Sequence, residues 1–115
     1  MLPVELSRSQ HATQLALLLR IDADLFWFRG HFPQQPLLPG VAQLDWVLHY
    51  GIGCLAVGKQ FSAVENIKFQ QPVLPGSLLK LELEWHEAKH QLSFRYLRVT
   101  NAEESVASSG KIRLC

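Results

Sequence analysis

Cysteine is scarce in this chain: only Cys54 and Cys115 occur, far apart and in no CxxC pair. Neither a zinc site nor a disulfide framework is indicated. A free thiol in an apolar segment and another at the C-terminus fit better. Five histidines are present, but none has the spacing of a strong metal motif. His86 and His90 are four apart, and their surroundings read as strand and turn. No metal site is expected. Charge of one sign is also missing. Eleven Lys and Arg against ten Asp and Glu leave a net charge of +1, with no basic run. Nucleic-acid binding lacks its electrostatic footprint. Long apolar runs are absent too. Leu15 to Leu19 is closed by Arg20 and Asp22. It is too short for a signal core or a membrane span, so a cytoplasmic protein without membrane insertion is expected.

What is present is a balanced globular composition, 48% apolar and 18% charged over 115 residues. That length allows one domain with one core, residues 1–115. No internal repeat or low-complexity tract appears. Residues 13–22 read as a strand, and Leu25-Phe26-Trp27-Phe28 as a second, β-prone one. Pro33, Pro36 and Pro39 then forbid both helix and sheet interior, yet Gly30 to Gly40 is too apolar for a linker. It reads as a rigid, buried loop. From Gly40 to about Val57 the pattern is helical, with almost no polar face, which predicts a buried helix. Gly51 and Gly53 weaken it, so close packing against a sheet, or an end at Gly51, is expected.

The remainder reads as strands. Leu79, Leu81, Leu83 and Trp85 alternate with Lys80, Glu82, Glu84 and His86. Leu92, Phe94 and Tyr96 alternate with Ser93 and Arg95, and Lys111 to Leu114 alternates again. Pro75-Gly76 and Asn101-Ala102 mark turns. One buried helix followed by antiparallel strands gives an α+β architecture.

Within that helix only Gln43, Asp45 and His49 are strongly polar. Asp45 and His49 are i and i+4 and share a face. A carboxylate in an apolar helix needs a partner or a proton, and a structural hydrogen bond would satisfy it as well as catalysis would. His31, beside Phe32 and Pro33, likewise fits a structural role when taken alone. Together, His31, the proline-stiffened loop and Asp45 read differently. Pro39-Gly40 opens the helix, and backbone N–H groups at Gly40 and Val41 would point out of its N-terminus, where negative charge is favoured.

The stretch from Asp24 to Asp45, DLFWFRGHFPQQPLLPGVAQLD, resembles the signature of the 3-hydroxyacyl-acyl-carrier-protein dehydratases of bacterial fatty-acid synthesis. That family carries His-Phe-x-x-x-Pro-x-x-Pro-Gly, then a helix with its acidic residue at this offset. Glutamate is usual in one branch and aspartate in the other, which also isomerises the double bond. Ile67 to Gly76, IKFQQPVLPG, is similar to the family's strand and turn after the helix. The two stretches cover about a quarter of the chain. Gln34 stands where the family commonly has glycine, and His49 where it usually has a glutamine contacting the acid. The chain is shorter than typical members, and compact members resemble those of polyene or specialised lipid pathways.

The resemblance implies a hot-dog fold, an antiparallel sheet wrapped around one long central helix. It also implies a homodimer whose composite sites take the histidine from one chain and the acid from the other. Higher oligomers and heteromers stay open. His31 would be the general base at C2 of the thioester, and Asp45 of the partner would assist departure of the C3 hydroxyl, held partly protonated by desolvation. Backbone N–H groups of Gly40 and Val41 would hold the thioester oxygen, and His49 would orient the acid. The implied partner is a 3-hydroxyacyl group on an acyl carrier protein, and no cofactor is required. Trp46, Trp85 and Phe61 fit core packing or an acyl tunnel. Arg29, Lys59, Lys68, Arg95 and Arg98 fit ordinary surface charge or carrier docking. A hot-dog thioesterase and a non-catalytic carrier-binding subunit are the competing readings.

Overall fold

The computed structural model describes residues 2–25 and 37–115. Strands β1 (Val4–His11) and β2 (Gln14–Arg20) precede one helix, α1 (Gly40–Cys54). Strands β3 (Phe61–Phe69), β4 (Leu78–His86), β5 (Gln91–Thr100) and β6 (Glu103–Leu114) follow it. They form one six-stranded sheet in the order β1-β2-β4-β5-β6-β3, with every pairing antiparallel. Among the described residues the architecture is therefore α+β, with one α-helix on an antiparallel sheet.

The alternating leucines decide which face is inside. Leu15, Leu17 and Leu19 of β2 pair with Leu83, Leu81 and Leu79 of β4, and all six are buried. Leu92, Phe94 and Tyr96 of β5 extend the same layer. Onto it α1 lays Ala42, Gln43, Trp46, Val47, Tyr50 and Gly51, a stripe at helical spacing. Gly51 is where the helix comes closest. A Cβ there would overlap the Leu92 side chain, so close packing compensates for the glycine and the helix runs through it to Cys54. The hairpin turn Asn101-Ala102 has both central residues at positive φ, 47° and 67°. That is the backbone hand that matches strand twist.

Several expectations need correction. α1 ends at Cys54 rather than near Val57, with Leu55 as its C-cap. The helix is not buried on all sides. Val41 is 64% exposed, and Asp45 and His49 are exposed, because the sheet covers only one stripe of it. Asp45 is therefore not buried by the described residues of its own chain, contrary to the expected desolvation. Strand β1 was not anticipated: all eight of its residues are exposed and largely polar, so no apolar alternation announces it. It exists through its ladder with β2. The expected strand at Leu25 to Phe28 and the loop from Gly30 fall mostly outside the described residues. Leu25 itself is buried and not in a strand.

Candidate active site

Asp45 stands on the side of α1 turned away from the core, one helical turn from Val41 and one from His49. The three form a row along the uncovered face. Beside them is a small apolar groove of about 180 Å³, lined by Val41, Leu44, Asp45, Leu48, Phe61, Val64 and Ile112. Among the described residues Asp45 is its sole ionisable lining residue. The His49 ring meets the Tyr50 ring edge-on, with centroids 5.0 Å apart.

The far wall of this groove is β3, which forms one edge of the sheet. Phe61, Val64 and Phe69 on it are 43% to 55% exposed. An edge strand rich in exposed apolar residues is a template for pairing with another chain. The opposite edge, β1, carries an ion pair instead, Arg8 to Glu5 at 2.8 Å. That guanidinium holds the Glu5 carboxyl below its usual range.

The helix opens at Pro39, which offers no side-chain cap. The amides of Ala42 and Gln43 reach the Pro39 carbonyl at 3.1 and 3.2 Å. Those of Gly40 and Val41 precede the first intrahelical bond and point off the helix end. Gly40 lies close under the Phe69 ring: a Cβ there would be 2.6 Å from it, and the ring would have to shift. A second groove of about 330 Å³ lies at this end, between Pro39, Gly40, Phe69 and Pro72.

Gln43 was the third polar helix residue, and it alone is buried, at 4% exposure. Its Oε1 accepts from Ser108 Oγ at 2.7 Å, and its Nε2 donates to the Leu38 carbonyl at 3.3 Å. Its main-chain carbonyl accepts from the Tyr96 hydroxyl at 2.6 Å. The sequence signal was a polar residue in an apolar helix, which marks a partner but does not name it.

The structure thus brings Val41, Asp45 and His49 to one open face, with Gly40 at the helix end beside the second groove. His31, Gln34 and Arg29 lie outside the described residues. A larger concavity of about 380 Å³ opens on the outer face of the sheet around Glu82, Glu84, Ser93 and Arg95. Its charges are already engaged, Arg95 on Glu82 at 2.6 Å, and Asp45 does not line it. No group of His, Cys, Asp and Glu among the described residues could hold a metal ion. No helix among them is long and apolar enough to cross a membrane.

Residues 7–111 match the family model for ApeI-like dehydratases, described as ApeI dehydratase. The chain belongs to that family. Among solved structures, an uncharacterized protein from Erwinia carotovora subsp. atroseptica is 55% identical, with a TM-score of 0.93, covering 100% of this chain and 97% of that one. The dehydratase heterocomplex ApeI:P from Xenorhabdus doucetiae matches at 50% identity and a TM-score of 0.92, covering 100% and 99%. The 3-hydroxyacyl-[acyl-carrier-protein] dehydratase FabZ of Clostridium novyi (strain NT) is 39% identical over 71 residues, 56% of this chain and 50% of that protein. The chain spans about half the length of the first FabZ relatives it matches. The fold is the hot-dog fold, formed among the described residues by α1 and the antiparallel sheet.

Proposed function

We propose that the chain dehydrates 3-hydroxyacyl groups carried as thioesters on an acyl carrier protein, giving trans-2-enoyl thioesters. The observation that carries this is the placement of Asp45. Among the described residues it is the ionisable group of an apolar groove, one turn from the open N-terminus of α1, in a chain of the dehydratase family. His31 takes the C2 proton as general base. Asp45 donates a proton as the C3–O bond breaks, and the hydroxyl leaves as water. Negative charge developing on the thioester oxygen is met by the Gly40 and Val41 amides. Elimination is redox-neutral, so the step needs no electron acceptor, and we assign no cofactor. We place the reaction in the cytoplasm.

The open β3 edge and the exposed row Val41, Asp45, His49 support assembly as a two-fold dimer. In that dimer each His31 meets the Asp45 of the other chain. His49 orients the carboxylate across one helical turn. A heteromer is the second reading, supported by the heterocomplex in which the Xenorhabdus doucetiae relative was solved. The test is mass spectrometry of 3-hydroxyacyl carrier proteins of several chain lengths incubated with the purified protein. Loss of water supports the reading. Release of free carrier thiol would instead indicate a thioesterase, and binding without turnover a non-catalytic subunit.

A further inference from the structure

We infer that Gln43, clamped by Ser108 and Tyr96, is a positioning residue that fixes the first turn of α1 for the reaction. The inference rests on the dehydratase reading of that turn. Gln43 lies between Gly40-Val41, whose amides face the developing charge, and Asp45, the acid. Its three hydrogen bonds lead to three different parts of the chain. Ser108 Oγ comes from β6, the Tyr96 hydroxyl from β5, and the Leu38 carbonyl from the chain that enters the helix. Leu38 is held on its other side as well, its amide donating to the Val73 carbonyl at 2.9 Å.

The sheet is built to present this clamp. Tyr96 and Ser108 are directly opposite in the β5–β6 register, and both are fully buried. The register then slips, with Leu97 opposite Val106, so Ala107 is the extra residue of a bulge. The Ala107 carbonyl, free of the regular ladder, accepts the amides of Gln70 and Gln71 at 2.8 and 3.1 Å. That ties the segment after β3, and with it Phe69 over Gly40, to the same place. Burial drives the Tyr96 phenol well above its usual range, so it stays a donor at every working pH.

Helix packing alone does not require a polar clamp here. An apolar residue at 43 would fill the same space without burying an amide, and Pro39 supplies no side-chain cap. A buried network with every member satisfied removes alternative placements of the groups it joins. Misplacement by about 1 Å can cost on the order of a hundredfold in rate. A structural role alone would show in stability and not in turnover by the folded protein.

The experiment compares Gln43→Met, Gln43→Met/Ser108→Ala and Tyr96→Phe with the unaltered assembled enzyme, measuring Tm, KM and kcat for dehydration. Gln43→Met leaves the Ser108 hydroxyl and Leu38 carbonyl unpartnered and lowers Tm. The double variant removes one orphaned group and recovers part of that loss. Both lower kcat about tenfold or more at little-changed KM, the signature of an interaction made in the transition state. Tyr96→Phe, which keeps the core shape should Gln43→Met not fold, lowers kcat about threefold or more, the scale of one hydrogen bond. Turnover that returns with Tm in the double variant, or unaltered kcat in a folded Gln43→Met or Tyr96→Phe protein, overturns the inference. If the unaltered enzyme removes no water, the dehydratase reading fails and the inference falls with it.

Discussion

Gln43 and Asp45 are two residues apart on one helix, and their surroundings are opposite. Gln43 is 4% exposed and fully bonded to two strands and the incoming chain. Asp45 is exposed, in a row with His49 and a Val41 that is 64% exposed. In sequence the two look alike, each a polar residue among apolar ones. α1 therefore has two faces, an apolar stripe packed on the sheet and an open row of Val41, Asp45 and His49. The first is covered by this chain's own sheet, and the second is not covered by any described residue. Substitutions on the two faces should therefore separate activity from stability.

The largest effect is expected at Asp45. Asp45→Asn should lower dehydration about 10²–10⁴-fold, the scale of a lost acid–base group. Its Tm should hardly move, since exposed substitutions usually stay within about 0.5 kcal/mol. Steady-state turnover beside a thermal melt checks both halves. Trp46→Ala, one residue on, should do the reverse. Trp46 has no exposed surface, and truncating it should cost about 3–5 kcal/mol in a urea unfolding experiment. Retained stability in that variant would mean the inner stripe is not the core.

Gly51→Ala sharpens the inner stripe further. The added methyl overlaps the Leu92 side chain, so about 1–3 kcal/mol of stability should be lost despite alanine's better helix propensity. A gain in the unfolding midpoint would show that the helix can lift off the sheet at no cost. The smallest effect is expected at His49. His49→Gln keeps a hydrogen-bonding group one turn from Asp45, and pairs at this spacing are worth only about 0.2–0.5 kcal/mol. Turnover should change by less than about threefold. Were His49→Gln to abolish turnover while Asp45→Asn kept it, the assignment of the acid would be reversed.

Much of this was legible in the sequence where one periodicity ruled. The alternation of β4 and β5 and the turn at Asn101-Ala102 follow from pattern and turn chemistry alone. The Pro39-Gly40 start of α1 is equally plain, and of the two expectations at Gly51, close packing and a helix end, the first holds. Strand β1 was not legible, because all its residues are exposed and hydrogen bonding to β2 is what shapes it. Nor was the division of α1 into a covered and an open face. The open row sits beside Leu44 and Leu48, apolar residues of the same kind as those that meet the sheet. The partners of Gln43 were hidden for a related reason. They come from β5 and β6, more than fifty residues downstream in sequence, and a bulge at Ala107 shifts the register that would predict them. Of the proposed catalytic pair, Asp45 is placed on the open face, while His31 remains an assignment from its motif.

The open face is the central claim, and subunit mixing tests it most directly. Inactive His31→Ala and inactive Asp45→Asn proteins are combined under conditions that allow exchange, and dehydration is followed against mixing ratio. If each site takes one residue from each chain, every mixed dimer holds one intact site and one doubly altered site. Random pairing then restores roughly a quarter of all sites at equal amounts. Activity should peak there and vanish when exchange is blocked. A mixed dimer, verified by native mass spectrometry, that stays as inactive as either parent would contradict the composite site.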